Sequence, residues 1–192
     1  MLGERLDDLL VRANRALEAT GVRYALIGGL AINLSGRGRS TRDVDFVVQL
    51  PSEGARHLID AARAQGFAHH DRADVHPLDG VTLYRFWLPV EGRDLSLAMD
   101  VQAGHTEFHA GVLDRARELD MGSFRLRVAS VEDLVLLKLL AFRPIDRADA
   151  IDLMTLEGPA LDTAYLETWA SRLGVEERWQ EVVGMTRKPP DS

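Results

Sequence analysis

The stretch that most limits how this chain can fold runs from Tyr24 to Val48, Tyr-Ala-Leu-Ile-Gly-Gly-Leu-Ala-Ile-Asn-Leu-Ser-Gly-Arg-Gly-Arg-Ser-Thr-Arg-Asp-Val-Asp-Phe-Val-Val. The apolar run Tyr24–Ile27 reads as a short strand that ends on Gly28-Gly29, where the backbone can turn sharply. A short helix over Leu30–Leu34 follows, then a basic, glycine-containing loop from Ser35 to Arg42. A second strand opens on Asp43-Val44-Asp45. Side chains alternate along a strand, so Asp43 and Asp45 share one face while Val44 and Phe46 turn to the core. Their spacing, about 6.5 Å along the strand, lets both carboxylates lean onto one or two divalent ions. Two acids on so apolar a strand are costly without exposure or a counterion, and a metal supplies the counterion. The alternative is a strand start with two solvated acids.

Gly28-Gly29 also lets backbone N–H groups approach an anion closely, helped by the dipole of the following helix. A plain strand-to-helix turn accounts for the same glycines. Arg37, Arg39 and Arg42 suit phosphate oxygens or nucleic acid; a solvated loop is the other account, and the better one for Arg42. Farther along, residues 95 to 101 read as a strand with Leu95, Leu97, Met99 and Val101 on one face and Ser96, Ala98 and Asp100 on the other. Asp100 is a third candidate acid, a carboxylate beside small residues, able to bind metal and activate an attacking hydroxyl. Alone, it would be a strand-end aspartate facing water.

Gly28-Gly29, thirteen intervening residues and Asp43-Val44-Asp45 on an apolar strand resemble the signature of the nucleotidyltransferase fold of the DNA polymerase beta superfamily. The finer pattern Arg39-x-Thr41-x-Asp43-x-Asp45 resembles its small bacterial AbiEii/MenT-like branch, many of whose members are toxins of toxin–antitoxin pairs. One departure is that many superfamily members have Gly-Ser where this chain has Gly28-Gly29, so backbone amides must replace a hydroxyl on phosphate. Lys138-x4-Arg143-x2-Asp146-x2-Asp149 resembles the second family block, in which the lysine approaches the phosphates and the acids support the pocket. The resemblance spans residues 24 to 152.

The resemblance implies Mg2+ held by Asp43, Asp45 and Asp100, the same three acids being catalytic. It implies an NTP contacted by Gly28, Gly29, Arg39, Thr41, Lys138 and Asp149, and transfer of NMP to an acceptor hydroxyl. The implied acceptor is an RNA end, that of tRNA, and the implied regulating partner an antitoxin protein. Two other readings stay open: the same chemistry on a small hydroxylated molecule such as an antibiotic, and a catalytically silent binding or regulatory module of the same fold.

The rest of the chain supplies the frame. Leu6, Leu9, Leu10, Ala13, Ala16 and Leu17 predict a packing helix over 3–19. A second helix is expected from Pro51-Ser52 to about Gln65, a loop or irregular hairpin entry over 68–79, strands over 81–88 and 123–129, and a turn at 91–94. Ser130, three residues before Asp133, resembles a helix cap. The helix that follows, 134–142, is apolar on nearly every face apart from Lys138, a lysine that needs an anionic partner. Asp146, Asp149 and Asp152 open another helix, ending near Gly158, and 163–185 reads as one or two more. The tail 188–192 reads as a frayed end.

With about five strands, the expectation is an α/β protein. The resemblance implies that its mixed sheet has the nucleotidyltransferase fold, with a helical C-terminal extension. Residues 1–130 form the core, and residues 131–192 pack on it and complete the nucleotide pocket.

A net charge of −7 argues against broad nonspecific binding to nucleic acid, while leaving room for a local patch of Arg37, Arg39 and Arg42, extended by Arg125 and Arg127. The absence of cysteine excludes disulfides, thiolate metal sites and a cysteine nucleophile. His69, His70 and His76 lack the fixed spacing of a metal site and read as a solvated loop, and His105 and His109, spaced i to i+4 near a helix start, lack a third ligand, so no metal role is expected of them either. The opening Met-Leu-Gly-Glu-Arg-Leu-Asp-Asp has no apolar signal core, and no run is long enough to span a bilayer, so a cytoplasmic protein without membrane contact is expected.

Overall fold

The computed structural model describes residues 2–36, 41–51, 53–70, 74–78, 80–90, 92 and 96–186. Arg37, Arg39, Ser52, Leu95, most of the expected turn at 91–94 and the tail from 188 lie outside the described residues. The chain divides into two compact units, Met1–Leu30 with Ser40–Ala129, and Ala31–Arg39 with Ser130–Ser192.

The first unit is built on a sheet. Helix α1 (Leu2–Thr20) leads into β1 (Arg23–Ile27), and α2 (Gly28–Leu34) starts on the residue after the strand. This differs from the expected start at Leu30. Gly28 adopts φ +71°, so the chain turns and enters the helix with no linker, a conformation closed to most side chains. Then come β2 (Asp43–Gln49), α3 (Gly54–Ala64), β3 (Val75–Leu78), β4 (Val81–Pro89), β5 (Ser96–Gly104), α4 (Glu107–Arg115), β6 (Arg117–Asp120) and β7 (Arg125–Val128).

Among the described residues seven strands form one mixed sheet in the order β3-β4-β5-β2-β1-β7-β6. β2 runs parallel to β5 and antiparallel to β1, and β4 runs antiparallel to β5. The two strands beyond the expected five, β3 and β6, are the outermost of the sheet. They have four residues each, β3 carries a proline, and all of β6 is exposed, so neither has an apolar alternation to announce it.

The apolar face of β2 behaves as alternation dictates. Val44, Phe46 and Val48 are fully buried, and α1 packs on β2 and on α3. Tyr24 of β1 meets Phe46 edge-on at 5.9 Å and its hydroxyl donates to Asn14 on α1 at 2.6 Å. Burial, reinforced by Glu18, pushes the Tyr24 hydroxyl far above its ordinary pKa. The strand is thereby anchored on one face, and its acids are left for the other.

The second unit is helical. Helix α5 (Val131–Ala141) is capped as expected, with Ser130 accepting from the Asp133 backbone N–H at 3.2 Å. It ends on Phe142 at φ +49°, whose ring lies under Arg147 and Arg178. α6 (Pro144–Glu157), α7 (Thr163–Arg172) and α8 (Glu176–Thr186) complete it. Among the described residues no helix is long and apolar enough to cross a membrane.

Candidate active site

Strand register brings the three predicted acids into one neighbourhood. Asp45 on β2 stands directly opposite Asp100 on the parallel strand β5, and Asp43 stands opposite Ala98. Adjacent strands are about 4.8 Å apart, so Asp45 and Asp100 are side by side on one face. Asp43 opens the strand exposed, Asp45 is half-buried, and Asp100 is buried.

The turn before α2 touches the same cluster. A Cβ built on Gly28 would lie 2.1 Å from Asp45 Oδ2, so the carboxylate occupies the space a side chain at 28 would need. Gly28 is therefore required twice, by its left-handed backbone and by the acid resting on it. Thr41 serves the strand locally: its hydroxyl donates to the Asp43 carbonyl at 3.1 Å and accepts from the Asp43 N–H at 3.4 Å. Arg39 lies outside the described residues.

A fourth member escaped the sequence reading. Arg85 on β4 stands opposite Asp100 across the antiparallel β4–β5 pair. Its Nε and Nη2 donate to the two Asp100 carboxylate oxygens at 2.7 and 2.5 Å, a two-pronged guanidinium–carboxylate pair. One row across three strands thus reads Arg85, Asp100, Asp45. The Asp100 bond, together with the charges of Asp100, Asp43 and Asp45, holds Arg85 above its ordinary pKa despite partial burial. Period-two alternation placed Arg85 on the Asp100 face only once the hairpin register was known, so the sequence carried no usable signal for it.

Arg85 is itself tightly framed. Its backbone N–H donates to the Asp74 carbonyl at 2.9 Å, and its carbonyl lies 2.8 Å from His69 Nδ1. Its guanidinium lies 5.5 Å from the centre of the Trp87 ring. His69 is buried and tilted against Phe86 at 4.8 Å, which corrects the expectation of a solvated loop. His109 is likewise buried, with Nδ1 2.7 Å from the Thr106 hydroxyl, and burial lowers its pKa. His70 and His76 are exposed as expected, and His105 is exposed too.

Partial desolvation pushes the Asp43 carboxyl above its ordinary pKa and the Asp100 charge adds to it; Arg85, the Ala98 amide and Arg42 oppose this without cancelling it. Two same-face carboxylates, one of them resisting ionisation, make a donor set that fits a hard, oxygen-seeking divalent cation. Among the described residues no three acid or histidine side chains converge as a ready metal cluster, and Asp100 is turned to Arg85.

Lys138 and Asp149, expected at the nucleotide, sit in the helical unit. Lys138 Nζ reaches Asp146 at 2.9 Å and Asp149 at 3.0 Å, all three side chains buried. The anion that a buried lysine demands is supplied by these two aspartates. Burial opposes the charge on Asp146, but hydrogen bonds from Arg143 and Lys138 outweigh it and hold its pKa down at about 2.

The model of the family described as "Nucleotidyltransferase of unknown function (DUF6036)" matches residues 4–180. The chain belongs to this nucleotidyltransferase family. No curated protein is significantly similar to it in sequence. Similar solved structures include a protein from Helicobacter pylori assigned as a nucleotidyltransferase, with TM-score 0.54 and 16% identity over 78% of this chain and 66% of that one. Another, from Thermotoga maritima and similarly assigned, has TM-score 0.53 and 16% identity over 78% of this chain and 91% of that one. A third is the antibiotic-resistance factor ANT(2'')-Ia, with TM-score 0.57 and 16% identity over 94% of this chain and 99% of that one. A further structure of ANT(2'')-Ia is in complex with adenylyl-2''-tobramycin. At these identities the likeness shows the fold, and it is the mixed α/β nucleotidyltransferase fold that the Gly28-Gly29 and Asp43-Val44-Asp45 spacing led one to expect.

Proposed function

We propose that this nucleotidyltransferase moves NMP from an NTP to the hydroxyl of a small acceptor molecule. The observation that carries the reading is the register that sets Asp45 beside Asp100 with Asp43 one step along, while Asp45 rests against Gly28. Asp43 and Asp45 hold a divalent cation, Mg2+ by preference. Such a cation supplies positive charge to the triphosphate oxygens. The Gly28-Gly29 turn offers its backbone amides to a phosphate oxygen. Arg39 adds a cationic contact.

Asp100 is the proton acceptor. Engaged by Arg85, it still keeps lone pairs for a further hydrogen bond, since a carboxylate has about four acceptor sites. The acceptor oxygen bonds to the α-phosphorus as the bond from that phosphorus to the leaving pyrophosphate breaks, and the hydroxyl proton passes to Asp100. Orientation and charge neutralisation carry most of such a transfer.

Two observations favour a small acceptor over an RNA end: the likeness to ANT(2'')-Ia, and a net charge of −7, which repels polyanions. The test is incubation with Mg2+ and each of four α-labelled NTPs, offering a panel of hydroxylated small molecules and total RNA in parallel, with Asp45→Ala alongside. Label on a small molecule with the unmutated protein only is the expected result. Label on a discrete RNA band instead would restore the tRNA-end reading, with an antitoxin partner to be sought. No transfer and no cation-dependent nucleotide binding would leave a silent module of the same fold.

A further inference from the structure

We propose that Arg85 is a positioning residue that claims Asp100 for itself, so that the cation site consists of Asp43 and Asp45, and Asp100 stays a hydrogen-bonding carboxylate outside it. This rests on the reading of Asp43 and Asp45 as cation ligands.

Both Asp100 oxygens are engaged in the favourable fork geometry, at 2.7 and 2.5 Å. Arg85 cannot drift away easily. Its backbone is fixed on both sides by Asp74 and His69, and its guanidinium lies over Trp87. Trp87 is in turn held by its indole N–H donating to Asp74 at 3.3 Å, and Asp74 also accepts from the His70 N–H at 2.7 Å. A network this extensive around one arginine aims Asp100 and keeps it aimed. Charge points the same way. A second cation against Asp100 would sit beside the guanidinium and be repelled by it.

The experiment is a titration of the full chain with Mn2+ alone, read by the free-ion electron paramagnetic resonance signal. It compares wild type, Asp45→Asn, Asp100→Asn, Arg85→Gln, Arg85→Lys and the double variant Arg85→Gln/Asp100→Asn, each checked for folding by circular dichroism. Wild type is expected to bind one Mn2+. Asp45→Asn weakens it at least about tenfold, and Asp100→Asn leaves it within about threefold, as a carboxylate outside the site should. Arg85→Gln frees Asp100 and tightens binding about tenfold, while Arg85→Lys and the double variant do not tighten it, since the gain needs a released Asp100.

Two results would overturn the proposal and leave the proposed function standing: Asp100→Asn loosening Mn2+ as severely as Asp45→Asn, or Arg85→Gln tightening it equally with and without Asp100. Should Arg85→Gln fail to fold, Asp100→Asn and Arg85→Lys still decide. No Mn2+ binding by the wild-type chain would overturn both readings.

Discussion

Two clusters of aspartate and cationic side chains can be set side by side, one in each unit. In the helical unit Asp146 and Asp149 face Lys138 and Arg143, two negative charges against two positive, with both acids and the lysine buried. In the sheet unit Arg85 pairs with Asp100 beside Asp43 and Asp45, and Asp43 resists ionisation. The first cluster pairs two buried carboxylates with a buried lysine and an exposed arginine, as a structural knot does. The second is open on the Asp43 side, where the strand begins exposed. Exposure and ion pairing, more than the presence of acids, distinguish the two clusters.

If that contrast is right, the two clusters fail differently when broken. The largest effect is expected from Asp45→Ala, which lowers nucleotidyl transfer by at least about 10^3-fold. The melting temperature is nearly unchanged, because a half-buried acid at a strand mouth carries little of the fold; calorimetry and the label-transfer assay check the pair. Loss of folding together with activity would erase the distinction. Lys138→Met comes next, leaving two buried carboxylates with Arg143 alone and costing about 3–5 kcal/mol in denaturant unfolding. A stability change below about 1 kcal/mol would show that the lysine is not holding the helical unit together.

Gly28→Ala follows, because the left-handed backbone alone costs about 1–2 kcal/mol and the new methyl must displace Asp45. Its signature is a loss of stability joined to weaker Mn2+ binding, and stability loss alone would separate the turn from the site.

The smallest effects lie in pH. The Asp43 carboxyl is raised, so protons compete with a cation at higher pH than for an ordinary aspartate. Mn2+ affinity should begin to fall while the pH is still above 3.8, and Asp43→Asn should abolish that dependence. Asp146 is shifted the other way, from 3.8 to about 2. Its ionisation stabilises the fold above the unfolded-state value, and that stability is lost as pH falls from 3.8 through 2. Asp146→Asn should be less stable near neutrality and flatter across that window. Opposite signs at the two clusters sharpen the contrast; equal signs would blunt it.

The same physics decides what was legible in the sequence. The β1–turn–helix–loop–β2 order, the facing of Asp43 and Asp45 and the Ser130 cap follow from local pattern, because alternation and capping act over a few residues. Asp100 was found because small residues flank it on an otherwise apolar strand. Arg85 was not, because its partner is fifteen residues away across a hairpin whose turn carries no register signal of its own. The burial of His69 was missed for a similar reason: it depends on the bridge between Ala68 and Trp87, a pairing outside the regular strands. Edge strands β3 and β6 are held by one neighbour each and need no apolar pattern, so their charged and proline-bearing sequences read as loops.

The central claim is that the acid row is a cation-dependent nucleotide site. It is tested most directly by isothermal titration of a non-hydrolysable NTP analogue into the full chain, with and without Mg2+, for wild type and Asp45→Asn. Binding that needs both Mg2+ and Asp45 is the predicted result. Binding that persists without either would contradict it and place the nucleotide elsewhere on the molecule.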